Sequence, residues 1–152
     1  MGAYGFLSGP EFIEEGGVSN LGLHDQRFAL QWIKDNIEKF GGDANQVTVM
    51  GESAGAGSIA HQLVWKNSDS TDDAVDAAPF QKAILQSPAW VPVPGSDGGK
   101  ALQDDTYLWF LEILDVGNLE DARNKTEDEI KDANRKLVAQ APKGLLPLLP
   151  LF

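Results

Sequence analysis

The pentapeptide Gly51-Glu52-Ser53-Ala54-Gly55 constrains the fold of this chain more than any other feature. It has the pattern G-x-S-x-G and directly follows the apolar run Val47-Thr48-Val49-Met50, which has the composition of a buried strand. In this pattern the serine occupies a sharp turn between a strand and a helix, and the two glycines leave room for these elements to approach closely. We therefore expect a strand, a tight turn at Ser53 and a helix.

The residues that follow the pentapeptide support this prediction. Residues 54–64 are rich in alanine and carry apolar side chains at Ile59, Leu63 and Val64, a spacing that predicts a helix. The pattern alone is weak, because in a chain with 16 glycines it arises by chance roughly one time in ten. The pattern leaves open an alternative, in which this is a glycine-rich turn whose serine has no chemical role.

The neighbouring segments predict an α/β fold with a parallel sheet. Residues 23–40 place apolar side chains three and four positions apart, as in an amphipathic helix with Asn20 as its N-cap and Gly41-Gly42 at its end. Residues 66–79 are polar and predict a surface loop, and residues 82–86 predict the next parallel strand. Strands that alternate with helices in this way are typical of a parallel sheet.

The N-terminal segment has a weaker pattern. Residues 1–10 predict the end of a strand that turns at Ser8-Gly9-Pro10, and residues 8–22 predict a loop rich in glycine and glutamate. No basic segment followed by a long apolar core is present, so we do not expect a signal peptide here.

The C-terminal half predicts two helices after an irregular segment at residues 88–99, which holds several prolines and glycines. The first helix is expected over residues 100–114. The second is expected over residues 127–140, beginning with the T-x-x-E capping box of Thr126 and Glu129. We expect the apolar faces of both helices to be buried in the core. The last residues, 144–152, are almost wholly apolar and contain prolines that exclude a regular helix.

Charge and composition narrow the classes of function. The 152 residues carry a net charge of −11, which disfavours binding to nucleic acid or to anionic membranes. There is no cysteine and there are two histidines, so neither a thiolate nor an imidazole metal site is expected, and no cofactor is predicted. No apolar run is long enough to predict a transmembrane segment.

A serine hydroxyl needs a base to accept its proton and a third group to orient that base. His61 lies eight residues after Ser53, about 12 Å along the predicted helix, and residues 54–60 contain no acid. His24 precedes the serine. We expect both histidines to be structural. The backbone N–H of Ala54 is placed to stabilise an oxyanion, whereas no glycine-rich loop upstream of Ser53 offers a second donor.

Three ordered blocks of sequence resemble the type B carboxylesterase/lipase family of α/β-hydrolases, which includes the cholinesterases, and most closely its fungal members. The blocks are Asn20-Leu-Gly-Leu-His-Asp25-Gln26-Arg27-Phe-Ala-Leu-Gln-Trp32, then Asn36-Ile-Glu-Lys-Phe-Gly-Gly-Asp43-Ala-Asn-Gln-Val47-Thr48 with the following Gly51-Glu52-Ser53-Ala54-Gly55-Ala56, and Phe80-Gln-Lys-Ala-Ile-Leu-Gln86-Ser87. Two departures from the family pattern are Ala44, where proline is usual, and Pro88, where glycine is frequent.

The resemblance implies roles for three residues of the pentapeptide. Ser53 would be the nucleophile, the N–H of Ala54 an oxyanion donor, and Glu52 a buried acid that helps to hold the catalytic histidine. Within the matching blocks, Asp25, Gln26, Asn36 and Asp43 correspond to structural positions. The substrate would be a small-molecule or lipid ester.

The resemblance also implies a single partial α/β-hydrolase domain over residues 1–152. Residues 1–90 would form core strands and helices with the serine turn, and residues 91–152 a loop, two helices and the apolar tail. The family's catalytic acid and histidine lie beyond Phe152 and its oxyanion glycine loop lies before Met1, so we expect a middle segment of a larger enzyme.

Three interpretations follow from the residues and the resemblance. The first is a carboxylic-ester hydrolase that acts through an acyl intermediate on Ser53. The second is a non-enzymatic, cholinesterase-like protein that keeps the fold, an alternative that the intact serine turn disfavours. The third is a catalytically inactive fragment that folds poorly by itself, because an open sheet exposes unpaired strand edges and apolar faces.

Overall fold

A computed structural model of the chain describes residues 2–65, 77–89 and 97–140. The described elements are helices α1 (Ala3–Phe6), α2 (Pro10–Glu14) and α3 (Leu21–Asn36), a 3₁₀ turn (Ile37–Phe40), strand β1 (Thr48–Glu52), helix α4 (Ala54–Leu63), strand β2 (Lys82–Gln86), and helices α5 (Asp97–Leu114), α6 (Leu119–Arg123) and α7 (Glu127–Gln140). The chain divides into two compact units, a strand unit of Leu23–Val91 and a helical unit of Met1–Gly22 with Pro92–Phe152.

The strand unit is built on β1 and β2, which pair in parallel with Met50 opposite Ile84 and Glu52 opposite Gln86. Its parallel pairing and the helix that follows β1 confirm the predicted α/β class. β2 has the predicted bounds, and β1 begins one residue later than predicted and continues to Glu52. Helix α4 contacts both strands and lies against one face of the sheet.

Helix α3 is shorter than predicted, because its last turn tightens into the 3₁₀ segment Ile37–Phe40. Gly41 ends that segment at φ 84°, the left-handed conformation expected of a terminating glycine. Asn20 does precede the helix, but its φ of 56° differs from the extended backbone of a typical N-cap.

The apolar stripe predicted to bury one side of α3 is exposed in the structure. Phe28 keeps 76% of its surface exposed, and Trp32 and Phe40, whose rings are 6.3 Å apart, are also exposed. Met50 and Ile84 are exposed on the strands in the same way. Trp32 contacts Phe40, but the described residues leave most of Phe28 and Phe40 and about half of Trp32 uncovered.

The helical unit has its own core around α5. Tyr107 and Leu137 are fully buried there, and Phe12 contacts the Tyr107 ring edge-on at 5.4 Å between centroids. The rest of this core consists of apolar residues from three helices and one connecting segment: Leu7, Phe110, Leu111, Leu114, Leu119, Ala122 and Ala133. The predicted aromatic and leucine stripe of α5 is therefore core.

The N-terminal prediction was wrong, since α1 and α2 replace the expected strand and loop. Pro10 is the first residue of α2, where a missing N–H costs nothing. The N–H of Glu11 donates to Asp104 Oδ1 at 3.0 Å, and that of Ala3 donates to Asn134 Oδ1 at 2.7 Å. These partners lie 93 and 131 residues away in sequence, so no local pattern records them.

Helix α7 has the predicted bounds and the predicted capping box. Thr126 N–H donates to Glu129 Oε2 at 2.8 Å, and Glu129 N–H donates to Thr126 Oγ1 at 3.3 Å. The Thr126 hydroxyl and the Thr126 N–H both donate to the Glu129 carboxylate, and these hydrogen bonds lower the pKa of that carboxyl. Helix α5 begins at Asp97, before the predicted start, and α6, which Asn118 caps through Asp121 N–H at 2.8 Å, was not predicted.

The loop predictions over residues 66–76 and 90–96 and the apolar segment 144–152 lie outside the described residues. Among the helices that are described, none is long and apolar enough to cross a membrane. The single-domain organisation over residues 1–152 stays a prediction.

Candidate active site

Ser53 forms the whole connection between β1 and α4, since β1 ends at Glu52 and α4 begins at Ala54. Its backbone has φ 52° and ψ −116°, a combination that few residues other than glycine adopt. Such a conformation costs about 1–3 kcal/mol and persists only where the surrounding structure fixes it. Ser53 is exposed, so the strained turn presents its side chain to solvent.

Backbone hydrogen bonds hold Ser53 from both sides. Its N–H donates to the carbonyl of Gln86 at 3.0 Å, at the end of β2. Its carbonyl accepts from the N–H of Gly57 and from the N–H of Ala89, each at 3.0 Å. The peptide groups before and after the Ser53 Cα are thus both anchored.

Gly51 has the role predicted for it, and Gly55 does not. A Cβ at Gly51 would lie 2.5 Å from the carbonyl carbon of Gly55 and 2.7 Å from the nitrogen of Ala56, so only glycine lets the strand meet the helix. A Cβ at Gly55 would meet none of the described atoms outside its own helix backbone. Among the described residues, the approach of β1 to α4 therefore demands glycine at residue 51 and not at residue 55.

The Ser53 hydroxyl makes no helix-capping hydrogen bond. Ser53 is the N-cap of α4 and serine is a preferred residue there, yet its side chain makes no capping hydrogen bond because its dihedrals lie outside the extended region. Ala54, the first residue of α4, is exposed, and its N–H has no partner four residues earlier in the helix. The positive end of the helix dipole and a backbone donor thus lie beside the serine.

Glu52 is exposed, so the burial implied for it by resemblance is absent from the structure. It is the last residue of β1, and side chains alternate along a strand, so Glu52 points away from the face on which Gly51 meets α4. No described residue covers that other face.

The two histidines lie on helices, His24 on α3 and His61 on α4. His61 is buried on α4, eight residues from Ser53, and burial lowers the pKa of its imidazole. His24 is exposed at the start of α3, and its ring contacts the Trp65 ring edge-on at 4.6 Å between centroids. The structural roles expected for both agree with these positions. Among the described residues there is no group of three or more metal-ligating side chains.

A polar network between α3 and α4 was not predicted. Gln62 is buried and donates from Nε2 to the carbonyl of Leu23 at 2.8 Å. Arg27 donates to Gln62 Oε1 at 3.4 Å and to the carbonyl of Ala77 at 2.9 Å, and its guanidinium lies 5.2 Å from the centre of the Trp65 ring. These contacts hold the two helices of the strand unit together.

The structural positions named in the sequence blocks make mostly local hydrogen bonds. Gln26 donates to Ser58 Oγ at 3.3 Å, which adds a second link between α3 and α4. Asn36 donates to the carbonyl of Trp32 at 2.9 Å, and Asp43 accepts from the N–H of Asn45 at 2.8 Å. Sequence reasoning also missed Gly57, which directly contacts the turn after β2.

Comparison with known proteins gives one consistent relationship. The family model described as the carboxylesterase family matches residues 1–151. Carboxylesterase patB of Penicillium expansum is 44% identical over 144 residues, which are 95% of this chain and 24% of patB. Lipase 1 of Geotrichum candidum is 39% identical over 153 residues, covering 96% of this chain and 26% of the lipase.

Solved structures agree with these relatives. A thermophilic PNB esterase superposes with a TM-score of 0.80 at 31% identity, covering all of this chain and 29% of the esterase. The carboxylesterase EST55 of Geobacillus stearothermophilus gives a TM-score of 0.74 at 26% identity, covering 99% of this chain and 30% of EST55. The chain spans about a quarter of the length of the curated relatives. Its fold is a partial α/β-hydrolase fold.

Proposed function

The chain belongs to the carboxylesterase family, and on that premise we propose that the protein hydrolyses carboxylic esters through an acyl intermediate on Ser53. The observation that carries this proposal is the backbone of Ser53, held at φ 52° and ψ −116° between β1 and α4 with its hydroxyl unused in capping. A structural serine gains nothing from such strain, whereas a nucleophile gains exposure and orientation.

The reaction assigns a separate task to each group. Ser53 Oγ attacks the carbonyl carbon of the ester while a base takes its proton, and the carbonyl oxygen becomes an oxyanion. Ala54 N–H donates a hydrogen bond to that oxyanion, and the dipole of α4 adds positive potential at the same place. The intermediate then collapses, the base returns its proton to the departing alkoxide, and the alcohol leaves. The base next takes a proton from water, whose oxygen attacks the acyl carbon, and that proton passes to Ser53 Oγ as the acid is released.

The base does not come from either histidine of these residues. His61 follows Ser53 by eight residues on α4, about 12 Å along the helix axis, and proton transfer requires an approach of about 3 Å. The ring of His24, which lies on α3, contacts the ring of Trp65. We therefore propose that the base lies outside residues 1–152, together with the acid that the resemblance to the family implies beside it.

Glu52 is proposed as a supporting acid that interacts with that base. Its exposure at the end of β1, next to Ser53 in sequence, leaves its carboxylate accessible to such a partner. The substrate class is a small-molecule or lipid ester, in keeping with relatives named as carboxylesterases and lipases.

The proposal is tested by covalent labelling of the 152-residue chain. A small fluorophosphonate is added at alkaline pH, where hydroxide takes the serine proton in place of a side-chain base, and the modified serine is identified by mass spectrometry in the parent and in Ser53→Ala. We expect modification at Ser53 in preference to exposed Ser87, because only Ser53 has the Ala54 donor and the helix dipole. Equal modification of both serines would contradict the assignment of Ser53 as the nucleophile.

A turnover assay addresses the base separately. With p-nitrophenyl acetate, the parent chain and Ser53→Ala are expected to hydrolyse the ester at the same rate, since these residues supply no base. Turnover that depends on Ser53 would show that a group within residues 1–152 serves as the base, while still supporting ester hydrolysis at Ser53.

A further inference from the structure

We propose that Gly57 is a positioning residue for Ser53, acting through the turn Ser87-Pro88-Ala89 that follows β2. This inference rests on the proposed function, because it concerns how the nucleophile is held. Gly57 lies one turn along α4 from Ser53 and is buried, whereas the turn after β2 is exposed.

A hydrogen bond connects the turn to the serine. Ala89 N–H donates to the Ser53 carbonyl at 3.0 Å, the same carbonyl that accepts from Gly57 N–H at 3.0 Å. With Ser53 N–H bound to Gln86, both torsion angles at the Ser53 Cα are restrained. A strained backbone persists only where its surroundings restrain it in this way.

A backbone contact at Gly57 fixes the position of the turn. A Cβ built on Gly57 would overlap the carbonyl oxygen of Ala89 and lie 3.1 Å from its carbonyl carbon. Helix and turn therefore meet backbone to backbone at Gly57. Any side chain at this position must displace Ala89, whose N–H is the group that binds Ser53.

The backbone of the turn is itself restrained. Pro88 fixes its own φ near −65°, and Ser87 before it is held at φ 46°, a left-handed conformation that is unusual for serine. These two restraints limit how the chain enters Ala89, so Ala89 has little freedom to move away from α4 and still direct its N–H at Ser53. Gly57 is accordingly the residue that accommodates this turn.

The test compares two identical substitutions in the same helix, Gly57→Ala and Gly55→Ala, by amide hydrogen exchange measured with NMR on the 152-residue chain. Gly57→Ala is expected to speed exchange of the Ala89 amide roughly tenfold, with the amides of β1 and β2 still protected. Gly55→Ala, whose added Cβ meets none of the described atoms beyond its own helix, is expected to leave Ala89 exchange unchanged. Exchange of Ala89 within about twofold of the parent in Gly57→Ala would overturn the proposal.

A second variant covers the case in which Gly57→Ala does not fold. Pro88→Gly adds no atom at the contact and loosens the turn, because glycine has more accessible backbone conformations. It is expected to speed exchange of the Ala89 amide several-fold. An unchanged Ala89 amide in Pro88→Gly would equally contradict the proposed role of the turn.

The reactivity of Ser53 separates positioning from a structural role. For the fluorophosphonate, Gly57→Ala is expected to lower the maximal rate of inactivation roughly 10- to 100-fold, with the concentration for half-maximal rate unchanged. Unchanged inactivation in a variant with a freed Ala89 amide would refute positioning. If the parent is not labelled at all, the proposed function fails in this chain, and the exchange measurements still decide the contact of Gly57.

Discussion

The backbone of Ser53 is strained, and a serine side chain cannot relieve that strain. The cost of the strain to the free energy of unfolding can therefore be measured by substitution. Glycine adopts φ near +50° freely, so Ser53→Gly is expected to raise the free energy of unfolding by about 1 kcal/mol relative to Ser53→Ala. Urea denaturation of both variants provides the measurement. Ala60→Gly in the interior of α4 is the control, and it should lose about 1 kcal/mol. A less stable Ser53→Gly would mean that the turn is not strained.

His61 gives a second prediction at the scale of single residues. Burial lowers the pKa of its imidazole below the ordinary 6.5, so the unfolded chain binds a proton at His61 before the folded chain does. The contribution of neutral His61 to the free energy of unfolding is therefore fully present above pH 6.5, and it is lost as the pH decreases toward and through the lowered pKa.

The measurement is the free energy of urea unfolding between pH 7.5 and pH 5 in the parent and in His61→Gln, which has no titrating imidazole. We expect a smaller loss of stability over this range in the variant. His24→Gln, which removes an exposed imidazole, controls for the loss of one titratable group. Equal losses in the parent and His61→Gln would show that His61 does not set the pH dependence.

At the scale of elements, local signals were sufficient for α7 and for β2. The Thr126-x-x-Glu129 spacing predicted the start of α7, because both partners of the capping box lie within four residues of each other. The helices α1 and α2 were missed, since their N–H groups bind Asn134 and Asp104 far along the chain. Gly57 was missed for the same reason: its contact with Ala89 exists only once β2 has paired with β1.

The capping box of α7 predicts the effect of removing its hydroxyl. Thr126→Ala loses the acceptor of Glu129 N–H and a donor to the Glu129 carboxylate, so stability should fall by about 1 kcal/mol at pH 7. Thr126→Ser keeps the hydroxyl and should retain most of it. Since hydrogen bonds from Thr126 lower the pKa of Glu129, this stabilisation is expected to decline as the pH falls through that lowered pKa.

Circular dichroism during urea unfolding measures the loss at pH 7 and at a series of lower pH values. The difference between Thr126→Ala and Thr126→Ser should shrink as the pH falls through the lowered pKa of Glu129, because a protonated carboxyl accepts more weakly. A difference that does not change with pH would assign the effect to Thr126 Oγ1 as acceptor alone.

At the scale of the whole molecule, charge and apolar exposure act against each other. The net charge of −11 keeps copies of the chain apart, whereas Phe28, Trp32, Phe40 and Met50 leave large apolar side chains in contact with water. Salt screens the repulsion over about 10 Å at 0.1 M and leaves the hydrophobic attraction in place. We therefore expect self-association that increases with ionic strength.

Two phenylalanines of the strand unit test this expectation as a matched pair. Phe28 is 76% exposed and Phe80 is 7% exposed, so Phe28→Ala should change the free energy of unfolding by less than about 0.5 kcal/mol, whereas Phe80→Ala should lose about 3–5 kcal/mol. Sedimentation velocity at low and high salt should show weaker association of Phe28→Ala than of the parent, because part of the exposed apolar surface is gone. A large loss of stability in Phe28→Ala would instead mean that this side chain is covered in solution, most simply by a second copy of the chain, and the association would then be a specific interface with a fixed stoichiometry.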